Sequence, residues 1–185
     1  QSVTPEYIVF TGNNTTIYSL GQLDLRKHGP IVLEAPAGAL GGIDNHWQHP
    51  LSDIGPFGPD KGKGGKFLIL PPGYEGEVPE GYFTVQSDTL QNFYLLRGVP
   101  KNGDIQGAVD MLRTARMSPV SEAANPAEME LFDASGIPAD TLFPTEYGYF
   151  EVLARHLTDE PARLRDMAML GMLAPLGIVH DQPFT

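Results

Sequence analysis

The 185-residue chain carries 12 Lys and Arg against 23 Asp and Glu, a net charge of -11, which argues against nucleic acid as a partner because phosphate neutralisation needs a basic face. It contains no cysteine, so disulfides, thiol nucleophiles and zinc-thiolate sites are excluded, and no apolar run reaches the ~18 residues of a membrane span. Its 21 Gly and 17 Pro fall between apolar runs, the pattern of a turn-rich β protein.

Taken in order, residues 7–10 (YIVF), 15–20 (TTIYSL), 23–25 (LDL) and 30–35 (PIVLEA) are short runs rich in β-branched and aromatic residues, each closed by Gly, Asn or Pro. Such runs are too short for helices and read as strands about ten residues apart. Residues 38–60 are irregular and hold the single tryptophan, Trp47; a connection of that length is either a functional loop or an element hidden from the pattern. Further strands are expected at 66–71, 82–87 and 92–98.

Residues 55–76, GPFGPDKGKGGKFLILPPGYEG, place seven glycines and four prolines around one apolar run and gather Lys61, Lys63 and Lys66 together. A glycine-rich loop frees backbone N–H groups to converge on an anion. The stretch is not a phosphate-binding P-loop, which needs two glycines bracketing four residues and then Lys and Ser or Thr. Lys63 stands where the second glycine is required and Phe67 follows Lys66 where a hydroxyl belongs. The dinucleotide fingerprint fails too, because these glycines precede a strand instead of opening a helix.

After Gly98 the pattern becomes helical. Asp104 is placed to cap a helix over 108–117, and residues 118–138, with Pro119, Pro126 and Gly136, read as a linker. Thr145 is the expected cap of a helix through His156 whose apolar stripe is Tyr147, Phe150, Leu153, Ala154 and Leu157. A second helix is expected from Pro161 to Leu173 with Leu164, Met167, Ala168 and Leu170 turned inward and its methionines serving core or interface packing. The expected organisation is a β-sandwich over residues 1–100 and a helical extension over 101–185, joined by the linker and packed on the sandwich.

Read together, residues 14–20 (NTTIYSL) with 23–25, the segment from Trp47 to Gly55, and GPDKGKGGK (58–66) with PPGY (71–74) resemble the domain of unknown function 1254 family. The similarity covers most of residues 7–100. It implies a jelly-roll-like β-sandwich with helices, in bacterial proteins that are often exported, hence periplasmic or secreted, and that often carry a second, 1214-type β domain downstream. This chain starts at the strand region and ends at Thr185, so the resemblance also implies a piece of a longer protein. No activity comes with the family.

Asp44, His46, His49 and Asp53 carry imidazole and carboxylate donors on one loop, but the resemblance supports Asp44, Trp47 and Asp53 and not the histidines, so neither a metal nor a cofactor is expected. No G-x-S-x-G elbow is present for a serine nucleophile. Asp44, Asp53 and Asp60 are the candidate catalytic carboxylates, provided folding brings two of them within roughly 5 to 9.5 Å.

A binding site asks less of the fold. Asn14, Thr16, Tyr18, Trp47, Asp60, Lys61, Lys66 and Arg97 supply the amide, hydroxyl, aromatic and charged groups that line a pocket for a small polar or anionic molecule. The competing roles are structural: Asn14 in a turn, Tyr18 and Trp47 in the core, Arg97 paired with an acid such as Asp60. The leading expectation is a ligand-binding β-sandwich. The alternatives are a carboxylate-dependent hydrolase and an interaction module, with a second copy or a companion β domain as partner.

Overall fold

The structure, a computed structural model, describes residues 7–8, 12–134 and 136–184. Its elements in chain order are β1 (Tyr7–Ile8), β2 (Ile17–Asp24), α1 (Leu25–His28), β3 (Ile31–Ala35), β4 (Leu40–Asn45), β5 (Pro50–Ile54), β6 (Gly65–Leu70), β7 (Phe83–Gln86), β8 (Gln91–Gly98), α2 (Ile105–Arg113), β9 (Arg116–Pro119), β10 (Ala139–Asp140), α3 (Gly148–Asp159) and α4 (Met167–Leu173), with short 3-10 turns between them. The chain divides into two compact units, Gln1–Asp140 and Thr141–Thr185.

In the first unit, sheet I has the strand order β2-β8-β4-β5 and sheet II the order β7-β6-β3-β9. Sheet I is antiparallel throughout, whereas β6 and β7 in sheet II run parallel. The expected class, mainly β with helices, is therefore what forms. Alternation along the strands sets which residues face the core. From sheet I these are Ile17, Leu23, Ile43, Ile54, Tyr94 and Leu96; Leu33, Phe67, Ile69 and Val85 answer from sheet II, and Ala108 and Leu112 of α2 close one end. The run Phe67-Leu68-Ile69-Leu70 is apolar throughout because sheet II is covered on both faces. Phe67 and Ile69 enter the main core, while Leu68 and Leu70 join Val32 and Ala123 in a second cluster on the other side.

Four expectations need correction. Gly21 does not end a strand: β2 runs through it, opposite Tyr94, whose ring would stand 2.3 Å from any Cβ there. A strand glycine can mark close approach as well as a turn, and this one makes room for a core aromatic. The chain then turns at Asp24, whose Oδ1 accepts the amides of Arg26 and Lys27 and caps α1, so Leu25 opens a helix and does not continue a strand. Residues 38–60 are not irregular: β4 and β5 form a hairpin around residues 46–49. Finally, α2 ends at Arg113 and Arg116–Pro119 becomes an edge strand of sheet II, paired with β3.

Asp104 caps α2 as expected, accepting the Gly107 amide at 2.9 Å. Of the expected first strand, Tyr7–Ile8 pairs with Ala139–Asp140, and residues 9 and 10 lie outside the described residues.

In the second unit α3 is a regular helix that buries Ala154, and its N-cap position is Tyr147, not Thr145. The following helix is shorter than expected, and of the residues expected to turn inward Leu164 (91% exposed), Met167 (55%) and Ala168 are exposed while Leu170 is half-buried. Among the described residues of this unit, Ala154, Glu160 and Ile178 are buried. The His180 ring bridges the Glu160 carbonyl oxygen at 2.7 Å and the Asp181 carboxylate at 3.0 Å.

A candidate site on the outer face of sheet I

The cross-strand register of sheet I fixes what its outer face displays. Tyr18 of β2 lies beside Arg97 of β8, and Arg97 beside Leu40 of β4. Two residues further along, the row is Leu20, Leu95, Gly42 and Asp53, and the next is Gln22, Phe93 and Asp44. Asp44 and Asp53, which the sequence placed on a loop, are thus strand residues on the same face as Tyr18 and Arg97. Arg97 is exposed, and its guanidinium carbon sits 5.4 Å from the centre of the half-buried Tyr18 ring, a cation–π arrangement that holds the fork over the sheet.

Thr16, one residue before β2, falls on the same side by alternation. Its Oγ1 is buried and has no hydrogen-bond partner among the described residues. An orphan hydroxyl of this kind costs about 1–3 kcal/mol, a cost that a bound acceptor would remove.

The glycine-rich loop, residues 55–64, leaves β5 at this same end and carries the chain into sheet II at β6. Its shape comes from Asp60. The carboxylate is 4% exposed; Oδ1 accepts the Gly55 amide at 2.8 Å and Oδ2 the Gly64 amide at 3.2 Å. Carbonyl-to-amide turns from Gly55 to Gly58 and from Gly58 to Lys61 fill in between, and Gly62 receives the Gly38 amide from the β3–β4 connection. Two glycines are obligatory: a Cβ on Gly58 would lie 2.3 Å from the Asp53 carbonyl oxygen, and one on Gly64, at φ 73°, would lie 2.5 Å from that of Ala35. Lys61 itself adopts φ 52°, so its side chain leaves a tight turn and is exposed.

The remaining expected site residues disperse. Lys66 pairs with Glu34 at 2.8 Å across the β3–β6 ladder of sheet II, and that hydrogen bond raises its pKa. Asn14 is exposed, but its neighbour Asn13 holds the turn, accepting the Thr15 amide and hydroxyl. Trp47 lies in the β4–β5 turn at the opposite end of sheet I, about 20 Å away at 3.3 Å per residue, half-buried with its ring edge-on to His46 at 4.7 Å. Its amide and that of His49 both donate to Asn45 Oδ1 at 2.9 Å.

Asp44 and Asp53 are close enough to sense each other. Burial pushes the Asp44 carboxyl above the usual aspartate range, the Asp53 charge adds to this, and His49 partly offsets it. No group of three His, Asp or Glu side chains among the described residues could hold a metal ion, and none of their helices is long and apolar enough to cross a membrane. Sequence reasoning missed the floor of the face, Leu40, Gly42, Phe93 and Leu95; the alternation of 92–97 carried that signal for β8, but nothing in residues 38–45 marked a strand. Unit 2 has an open cavity of about 620 Å³ lined by Glu151, Arg155, Asp159, Asp181 and Phe184 among others, and it includes none of the expected residues.

These features define a mainly β protein of two four-stranded sheets with a few helices. Residues 1–119 match the family described as "Protein of unknown function (DUF1254)", and the chain belongs to that family. Among solved structures it is similar to the VPA0106 protein from Vibrio parahaemolyticus, with a TM-score of 0.66 and 19% identity over 94% of this chain. The chain spans 44% of the length of that protein. No curated protein matches the sequence.

Asp60→Ala removes two charge-assisted bonds and strands two loop amides, so it should destabilise the fold by about 2–4 kcal/mol, read from urea unfolding; an unchanged midpoint would refute the clamp. Asp44→Asn should stabilise at neutral pH. Because the folded-state pKa of Asp44 is raised, the wild type is most stable relative to this variant below the unfolded value of about 3.9 and loses ground as pH rises through the folded one. Unfolding curves for both proteins across that range should therefore diverge upward with pH and merge in acid.

Proposed function

We propose that the first unit binds a small polar or anionic ligand on the outer face of sheet I, at the end that carries Thr16, Tyr18 and Arg97 and at which the Lys61 loop leaves β5. The observation that carries this reading is Arg97: an exposed guanidinium oriented by the Tyr18 ring, with no ion pair among the described residues, in a chain of net charge -11. A planar fork presented in this way matches a carboxylate or phosphate bidentately. The unsatisfied Thr16 hydroxyl and the exposed Lys61 support it, and the Asp60 clamp holds the loop without needing a ligand, so the site is preorganised. In this reading Asp60 positions the loop and does not touch ligand, and the chain is the binding part of a longer bacterial protein.

A second reading concerns unit 2 and is favoured by one observation. Met167, Met169, Met172, Leu164 and Leu176 are each more than half exposed, an apolar surface that a soluble monomer rarely presents and that adaptable methionines suit to a partner. We propose that this helix is an assembly face for a second copy. The hydrolase alternative has less behind it: Asp44 has the raised carboxyl of a general acid, but among the described residues no nucleophile or oxyanion donor accompanies the pair.

Arg97→Met keeps the aliphatic stem and removes the fork, so thermal-shift or calorimetric titration with small carboxylates and inorganic phosphate should show binding to the wild type and a loss of at least roughly tenfold in the variant, with the unfolding midpoint in buffer unchanged. Equal titrations would sink the reading. For unit 2, light scattering across a concentration series should show association in the wild type that Met169→Gln combined with Met172→Gln abolishes; a monomer at every concentration would rule the assembly face out.

A further inference from the structure

The outer face of sheet I carries charge of both signs at fixed separation. At about 3.3 Å per residue along a strand and 4.8 Å between strands, the Cα of Arg97 lies about 12 Å from that of Asp53 and about 14 Å from that of Asp44. Between the two poles the face is apolar and low: Leu95 and Leu40 are half-buried, and Gly42, flanked by Leu95 and Asp53, has no side chain. The carboxylate of Asp44 leans over that gap, its Oδ1 4.0 Å from the position a Cβ on Gly42 would take. No ion pair or hydrogen bond engages the Arg97 guanidinium or the carboxylates of Asp44 and Asp53 among the described residues.

Paired sheet-surface charges ordinarily neutralise one another across neighbouring strands, as Lys66 and Glu34 do on sheet II. On sheet I the cation and the two anions are instead kept two to four residues out of register, with a smooth floor between.

We propose that the ligand of this face is amphoteric: a carboxylate seated on Arg97 and Thr16, a short apolar body over Leu95, Leu40 and Gly42, and an ammonium group between Asp53 and Asp44. The inference rests on the binding reading above and narrows it to an amino carboxylate whose charges are separated by a chain of roughly six to eight carbons, the span left between the poles once about 3 Å is taken off at each end for the hydrogen bonds. A dianion is disfavoured, because its second charge would approach the two aspartates. Complementary charge at both ends also supplies orientation, since the reversed ligand would place like charges together at each pole.

The test uses the chain as it stands and five probes: 6-aminohexanoate and 8-aminooctanoate, the matching hexanoate and octanoate, and hexylamine. Affinities are measured by calorimetric titration at low salt, since the charge contacts are partly screened. The amino carboxylates should bind at least roughly tenfold more tightly than the acids of equal length. Asp53→Asn combined with Asp44→Asn should bring the two sets level while leaving acid binding intact, and Arg97→Met should weaken both. The exposed positions of Arg97 and Asp53 make loss of fold an avoidable explanation, checked by the unfolding midpoint of each variant. If acids and amino carboxylates bind the wild type equally, the amphoteric ligand is refuted while the anion site stands. If neither set binds, the anion site itself falls and the inference with it. If hexylamine binds as well as 6-aminohexanoate, the carboxylate pole plays no part and the proposal is likewise overturned.

Discussion

The buried carboxylate of Asp60 is the interaction on which the first unit depends. Two sheets that share a core need connections that cross from one layer to the other, and the crossing from β5 to β6 is made by ten residues with four glycines, a segment of high conformational entropy when unfolded. Asp60 ties both ends of that crossing to one side chain, Gly55 at the exit from sheet I and Gly64 at the entry to sheet II. A neutral side chain would hold the same amides less strongly, since hydrogen bonds to an ionised acceptor are about twice as strong as neutral ones. The desolvation of the carboxylate is offset because both oxygens are met by donors.

The opposite end of sheet I is held by an equivalent device built from amides and hydroxyls. Asn45 is fully buried; its Oδ1 takes two amides of the β4–β5 turn and its Nδ2 donates to Asp88 at 2.7 Å. Its cross-strand partner Asn92 accepts from Ser87 at 2.7 Å and donates to the Thr89 carbonyl at 3.2 Å. A buried polar network that is fully satisfied specifies one geometry and resists alternatives. With a polar lock at each end, the register between β4, β5 and β8 cannot slip by one residue without burying Asp44 and Phe93 in exchange for Asn45 and Tyr94. The placement of Arg97, Asp53 and Asp44 on one face follows from that register.

This explains what was legible in the sequence and what was not. Strands β3, β6 and β8 were visible because they are built from β-branched and aromatic residues, whose propensity and burial agree. The β4–β5 hairpin was hidden because its residues, LGGIDN and PLSDI, include glycine, aspartate, asparagine and proline, which are depleted from strands. Here they serve other ends: a Cβ on Gly41 would collide with the Leu95 carbonyl oxygen at 1.8 Å, and Asn45 is the lock. Asp60 carried the same ambiguity. In a loop with three nearby lysines it reads as a ligand group, and only burial reveals that its oxygens are already occupied by the backbone. Arg97, Tyr18 and Thr16 could be named from residue type, but their meeting on one face required the pairing of β2 with β8.

The division of labour that results separates rigidity from recognition. Asp60, Asn45, Asn92, Ser87 and Thr89, deep in the first unit, are each engaged with protein partners. On the outer face, among the described residues, Thr16 carries a buried hydroxyl oxygen with no hydrogen-bond partner. A hydroxyl in that state is disfavoured in a surface free to rearrange, because a small rotation would return it to water or to a carbonyl. It persists when the surrounding backbone is over-determined, as β2 is here by eight consecutive pairings with β8 and the packing of Tyr94 against Gly21. The same pairing sets Arg97 beside Tyr18 and begins one residue after Thr16, so it is the β2–β8 register that fixes both groups at this end of sheet I.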